Sequence, residues 1–240
     1  MPANERYTVE RKSLRETKVP PVRTERTADG TLFLDFGKAA FGTLLLPPRK
    51  SSERKTIVVH LGEQLTPEGR VQRTPPGSIR YIRVVQERTA EQSGTRIQIP
   101  PDKRNTGPAA VRMPPEIGEV LPFRYAEIES AEEIDAGAVR QISVHYPFDD
   151  TASAFESSNN TLTAVWNLCK YSVKATSFCG VYVDGDRERI PYEGDAYINQ
   201  LCHYCVDREY TLARYTHEYL IQNPTWPTEW QLHSVMMAWA

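Results

Sequence analysis

Hydrophobic positions recur in two rhythms along the chain, and the change between them falls near Pro147-Phe148-Asp149-Asp150. Before that point, short apolar runs at 31–36, 41–46, 56–61, 79–85, 96–99, 119–128 and 139–146 are separated by turn residues. Ile57-Val58-Val59 is β-branched, and Arg96-Ile97-Gln98-Ile99 alternates polar with apolar, the period of a strand with one buried face. These runs predict an antiparallel, jelly-roll-like β-sandwich over residues 1–150, with 100–115 as a proline-rich loop. After Asn159 the period becomes helical: Leu162, Val165, Trp166, Cys169 and Val173 form one stripe, with Ser158 or Asn159 as the cap. A second helix is predicted from about Asp195 to Asn223-Pro224, turning Ile198, Leu201, Cys202, Cys205 and Leu212 inward. A third runs from Thr228-Glu229-Trp230 through Leu232, Val235, Met236 and Trp239.

Composition sharpens this division. Fifteen of the 18 prolines and ten of the 13 glycines precede position 149, whereas all four cysteines and all four tryptophans follow position 165. The last ten residues are apolar and carry no cap or polar tail, which predicts a helical domain that is entered but not completed within residues 151–240. With 40% hydrophobic and 25% charged residues the chain has the composition of a soluble globular protein. A net charge of −2 supplies no field for a phosphate backbone, which argues against a nucleic-acid partner. No apolar run approaches the roughly 18 residues of a membrane span. Met1-Pro2-Ala3-Asn4-Glu5-Arg6 lacks an apolar leader, so the reading is cytoplasmic if Met1 is the true start, and periplasmic or secreted if a signal precedes it.

Cys202 and Cys205 have the C-x-x-C spacing of zinc or redox sites, but they fall inside a helical pattern, and His203 and His217 sit where they cannot converge with both sulfurs. The four cysteines are therefore expected to be buried, reduced thiols packing as small hydrophobes. No metal is assigned: a divalent ion on the carboxylates described next is disfavoured by the arginines that balance them.

The chemistry concentrates between Val181 and Tyr197, where Asp184, Asp186, Glu188, Glu193 and Asp195 alternate with Arg187 and Arg189 around a glycine and a proline. Such a segment suits a pocket floor in which arginines orient carboxylates and one acid carries a proton. Asp184, Glu188-Arg189, Tyr192 and Gly194-Asp195 resemble the acidic motif of glycoside hydrolase family 78, the α-L-rhamnosidases, in which an aspartate is followed by Glu-Arg, an aromatic residue and Gly-Asp. Phe36-Gly37-Lys38-Ala39-Ala40-Phe41-Gly42-Thr43 and Pro224-Thr225-Trp226-Pro227-Thr228-Glu229-Trp230 also resemble bacterial members. Counting back from Gly194-Asp195, the family spacing places the leading aspartate at Tyr182, so Asp184 takes that part with two residues deleted.

The resemblance implies an accessory β-sandwich followed by the first helices of a six-hairpin (α/α)6 barrel, an inverting glycosidase acting on terminal α-L-rhamnosyl residues; no cofactor follows from the sequence. It implies Glu188 as general acid, with Asp184 and Asp195 holding sugar hydroxyls and Arg187 and Arg189 orienting the carboxylates and substrate. Tyr192, in a position normally tryptophan, would line the pocket, and Trp226, Glu229 and Trp230, braced by Pro224 and Pro227, would give an aromatic edge for a sugar ring. Each has a plainer alternative: a Glu188–Arg189 ion pair, an Asp184-Gly185 turn, Asp195 as an N-cap, Glu229 as a first-turn acid, and aromatic core packing. The water-activating carboxylate of an inverting enzyme, some 6.5–9.5 Å across the sugar from the acid, is assigned to no residue of this chain. Two other functions fit the same residues: a carbohydrate-binding protein without turnover, and a six-hairpin glycosidase acting on another sugar.

Overall fold

A computed structural model describes residues 10–49, 51, 53–89 and 93–240, so the segment read for a leader lies outside the described residues. The chain forms two compact units: one comprises Glu16–Pro101 and Met113–Val144, the other Asp102–Arg112, His145–Ala240 and the described residues up to Arg15.

The first unit is an antiparallel sheet with the path β1-β8-β3-β7-β4-β5. Its spine is β3 (Leu32–Leu46), which pairs with β2 (Arg23–Arg26), β6 (Thr95–Arg96), β7 (Leu121–Ile128) and β8 (Arg140–His145). On the far side of β7 lie β4 (Lys55–Gly62) and β5 (Tyr81–Arg88), and β1 (Arg15–Val19) borders β8. The apolar runs at 31–36 and 41–46 are thus one bent strand: its register against β7 shifts between Asp35 and Ala40, around Gly37 at φ 81°. The Asp35 carboxylate fixes the bend by accepting from the Gly37 amide at 2.7 Å and from Arg124 through both oxygens, at 2.7 and 2.9 Å. Beyond the bend, Gly42 passes so near β8 that a Cβ there would stand 1.7 Å from the Ile142 carbonyl oxygen. Leu32, Leu34, Leu44 and Leu46 enter the core with Ile57, Val59 and Leu61 of β4 and Phe123 and Ile128 of β7. The strands absent from the hydrophobic pattern, β1 (RETKV) and β2 (RTER), are almost wholly exposed and join the sheet through backbone pairing, which polar side chains do not advertise.

The second unit carries α1 (Asn160–Thr176), α2 (Glu193–Val206), α3 (Thr211–Gln222) and α4 (Thr228–Trp239). The Asn159 side chain caps α1 by accepting from the Thr161 amide at 2.9 Å, as its position suggested. The expected second helix is two, because Asp207 leaves the helical conformation at φ −142° and ψ 167°, and Glu209 accepts from the Thr211 amide at 2.8 Å to start α3.

The predicted inward faces need correction. Leu162, Val165, Ile198, Leu201, Leu232, Val235, Met236 and Trp239 are exposed, whereas α2 buries Glu193, Ala196, Gln200, His203 and Val206. Polar anchors join Ala196 and Val206 on the buried face of α2: Gln200 Nε2 donates to the Met237 carbonyl at 2.9 Å, and His203 bonds the Tyr182 hydroxyl at 2.5 Å and Asp207 at 3.2 Å. The expectation of buried thiols holds for Cys179 and fails for the other three for the same reason. Cys169, Cys202 and Cys205 ride on the outward faces of α1 and α2 and are exposed; Cys179 alone is buried, its thiol pushed up to about 11 by that burial, and all four are free. No helix among the described residues is long and apolar enough to cross a membrane.

Candidate active site

The loop from Ser177 to Tyr192, between α1 and α2, is folded so that its charges divide between two sides. Arg189 adopts φ 53°, a left-handed conformation costly for a residue with a side chain, and Gly185 stands at φ 117°. The inward side holds these turns in place. Arg189 has no exposed surface; its Nε donates to Asp186 at 2.7 Å, its guanidinium lies 5.5 Å from the Phe178 ring centroid, and its carbonyl accepts from the Val111 amide at 2.8 Å. Asp186 is also buried and accepts from Asn105 Nδ2 at 2.9 Å. The arginine next to the candidate acid is therefore spent beneath the surface on Asp186, and the Glu188–Arg189 ion pair considered from the sequence is replaced by Asp186–Arg189.

On the outward side, Arg187 bridges two carboxylates, with Nη2 2.9 Å from Asp184 and Nε 2.9 Å from Glu188. The second oxygen of Glu188 accepts from the Tyr192 hydroxyl. The Asp184 side chain is only 14% accessible, against 37% for Glu188 and 59% for Arg187. Burial raises the Asp184 carboxyl above the ordinary range against the pull of Arg187, and the negative charges of Glu188 and Asp195 act in the same upward direction. The Tyr192 phenol is pushed up to about 12, first by burial and then by its bond to Glu188. Tyr182, where the resemblance counts the leading aspartate, is buried with its hydroxyl on His203, whereas Asp184 reaches Arg187.

Of the acids expected around Glu188, two are consumed internally: Asp186, already described, and Glu193. Glu193 is fully buried at the start of α2 and accepts from the Thr225 amide at 2.8 Å, the Thr225 hydroxyl at 2.6 Å and Gln231 Nε2 at 2.7 Å. Burial alone would raise its carboxyl, but these bonds outweigh it and hold the carboxyl below the ordinary value. Neither Asn105 nor Gln231 was identifiable from the motif, because each reaches it from a distant segment and neither carries a local pattern. Asp195 is not the N-cap: that position is Tyr192, which makes no side-chain cap bond, and Asp195 lies exposed in the first turn of α2. Before it, Gly194 admits the Trp230 ring, since a Cβ at 194 would stand 2.8 Å from Trp230 Cζ3.

Three aromatic residues continue the outward surface. Tyr192 and Trp226 have ring centroids 6.2 Å apart, and Trp226 stacks on Trp230 at 5.7 Å with 29° between planes. Trp226 is half-exposed, Trp230 is partly buried, and Glu229 is the exposed first-turn acid of α4. The structure thus brings together Asp184, Arg187, Glu188, Tyr192 and Trp226 through direct contacts, ties Trp230 to them by stacking, and puts Arg189 beneath them. Among the described residues no group of His, Cys, Asp and Glu is placed to hold a metal ion.

Two family models match the chain: the bacterial α-L-rhamnosidase concanavalin-like domain over residues 25–145 and the bacterial α-L-rhamnosidase six-hairpin glycosidase domain over residues 150–240. The fold is similar to an α-L-rhamnosidase from Dictyoglumus thermophilum, with TM-score 0.70 and 16% identity over 97% of this chain and 26% of that one. It is also similar to a rhamnosidase from Klebsiella oxytoca with rhamnose bound, at TM-score 0.57 and 16% identity over 95% of this chain and 52% of that one. A family 78 rhamnosidase of Bacillus sp. GL1 gives TM-score 0.58 and 15% identity, covering 92% of this chain and 22% of that one. No curated protein sequence matches, and the chain spans 26% and 52% of the length of the first two of these structures. A sheet unit with a bent fifteen-residue spine, a helical unit whose loop presents Glu188 beside an aromatic wall, and family models that together account for both lead to one assignment: the chain belongs to the bacterial α-L-rhamnosidase family of glycoside hydrolases.

Proposed function

We propose that the protein takes part in the inverting hydrolysis of terminal α-L-rhamnosyl residues, with Glu188 as the general acid. The observation that carries this reading is the single Arg187 guanidinium shared by Asp184 and Glu188, beside Tyr192 and Trp226. A general acid must be fixed within hydrogen-bond reach of the leaving oxygen, and Arg187 and Tyr192 hold Glu188 from two sides while it stays open to a ligand. When Glu188 is protonated, its hydroxyl gives its proton to the glycosidic oxygen as the bond from that oxygen to the anomeric carbon breaks, and a water molecule adds to the opposite face. Asp184, shielded and close to the acid, is suited to accept hydrogen bonds from sugar hydroxyls, and Tyr192, Trp226 and Trp230 supply faces for the ring. Asp195 and Glu229 extend the polar rim.

The test is hydrolysis of an aryl α-L-rhamnoside by the whole protein and by its Glu188→Gln variant. The substitution is expected to lower kcat by about 10²- to 10⁴-fold, and proton NMR of the first sugar released should show the inverted anomer. Unchanged turnover in Glu188→Gln would remove Glu188 from the role. A second reading, sugar binding without turnover, draws on the fact that both Glu188 oxygens already accept bonds; it expects rhamnose binding in both proteins and product from neither.

A further inference from the structure

Helices α2, α3 and α4 line a cavity of about 340 Å³, in the size range of about 300 to 1,000 Å³ typical of small-molecule sites. It lies away from the candidate acid. Helix α2 starts at Glu193, close to Glu188, and the cavity takes Gln200 and Tyr204, about two and about three turns further on. From α3 it takes Ala213, Arg214, His217 and Glu218, and from α4 the last turn at Met237.

Gln200 has an unmet need on this wall. The residue is only 1% exposed, and its Nε2 donates to the Met237 carbonyl at 2.9 Å, so the group it has left to offer is the oxygen. Oε1 is buried and accepts no hydrogen bond among the described residues. A buried amide oxygen without a donor is costly, and native proteins keep few of them. A hydroxyl or ammonium of a ligand would supply that donor.

Helix α3 presents the complementary need. Arg214 and His217 stand three residues apart on one helix face, and the guanidinium carries donors only. Burial raises the Tyr204 phenol above its ordinary value and the Arg214 charge opposes that rise, which sets the guanidinium near Tyr204. A carboxylate matches a guanidinium through two parallel bonds. Ala213 and Met237 are buried and add apolar surface to the ring of Tyr204.

We propose that this cavity binds a small carboxylate with a hydrogen-bond donor on the adjacent carbon and an apolar tail. The carboxylate pairs with Arg214, with His217 beside it; the donor satisfies Gln200 Oε1; and the tail packs against Ala213, Tyr204 and Met237. Both α-hydroxy acids and α-amino acids carry this chemistry. Glu218, on the same face of α3 four residues from Arg214, is the acid of the wall and favours an ammonium over a hydroxyl.

The experiment titrates L-3-phenyllactate and 3-phenylpropionate, which differ only by the hydroxyl, into the 240-residue chain, read by calorimetry and ligand-observed saturation-transfer NMR. Phenyllactate is expected to bind saturably and at least fivefold more tightly than phenylpropionate. Gln200→Met, which removes the amide oxygen and keeps the length, should bring the two within twofold. Arg214→Met should weaken both at least tenfold; Arg214 is exposed, so this variant carries the test if Gln200→Met does not fold by circular dichroism. L-Phenylalanine separates the two sources: tighter binding than phenyllactate, lost in Glu218→Gln, assigns the site to amino acids, and weaker or equal binding assigns it to hydroxy acids. Absence of saturable binding by both donor-bearing acids, phenylpropionate binding as tightly as phenyllactate, or an affinity that Arg214→Met leaves unchanged overturns the inference.

Discussion

Replacing Glu193 by alanine is expected to destabilise the helical unit more than any surface change near the acid. The carboxylate is fully buried and accepts three hydrogen bonds from Thr225 and Gln231, joining the first turn of α2 to the turn before α4. At about 1.5 kcal/mol per bond to a charged acceptor, the three total about 4.5 kcal/mol, and relief of the carboxylate's own desolvation returns part of it, leaving a net loss of about 3 kcal/mol. For a chain of this size about 1 kcal/mol moves Tm by about 2–4 °C, so the expected drop is about 6–12 °C. Glu193→Gln keeps the shape, and its amide can donate to the Thr225 hydroxyl, so it retains neutral bonds of roughly half the strength and loses about 1.5 kcal/mol. The assay is a thermal melt read by near-ultraviolet circular dichroism, since Trp226 and Trp230 stack beside this anchor. The pH dependence gives a second readout. Because the folded carboxyl lies below its ordinary value of 4.5, its stabilisation is present above pH 4.5 and is lost as the pH falls through the folded value; Glu193→Gln should lack that acid-side loss. A Glu193→Ala protein melting within a degree of wild type, or a Gln variant with the same acid slope, would refute the anchor.

Three further outcomes follow from the same geometry. Arg189→Ala leaves the buried Asp186 without this cationic partner and removes the cation over Phe178, so a loss of about 3–5 kcal/mol is expected in a denaturant titration. A thiol-reactive chromophore should label three cysteines in the native protein and a fourth only after denaturation, since Cys169, Cys202 and Cys205 are exposed and Cys179 is buried; four fast thiols would contradict the burial of Cys179. His60, His145 and His203 are each held below the ordinary histidine value of 6.5, chiefly by burial. All three resist protonation in the fold, so stability is full above pH 6.5 and falls as the pH drops below it, a slope that His203→Gln should reduce in melts between pH 7.5 and 5.5.

What could be read from the residues depended on whether a side chain announced its surroundings. The strands built on β3, β4 and β7 were legible because Leu, Val and Ile line one core, while β1 and β2 were not, because their Arg, Glu, Thr and Lys side chains face water. The α1 cap and the start of α4 were legible from Asn159 and Thr228. The faces of α1, α2 and α4 were not, since the apolar stripes at Leu162, Ile198 and Leu232 are exposed and buried polar contacts join Ala196 and Val206 on the inner face of α2. Hydrophobic periodicity reports which face is apolar; which face is covered depends on partners that no local window contains.

The same limit explains the acidic segment. Five carboxylates and two arginines within twelve residues look like one cluster, yet folding separates them by function. Asp186 with Arg189 secures a left-handed turn, and Glu193 fastens α2 to the loop that carries Trp226. Those inward groups fix the positions from which Arg187 links Asp184 to Glu188 and from which Tyr192 reaches the acid. Spacing alone cannot make this division, because neighbouring residues in a tight loop point to opposite sides. On the function proposed above, anchoring substitutions should reduce stability together with sugar binding, while changes at Glu188 should leave the fold intact and act on the chemistry alone.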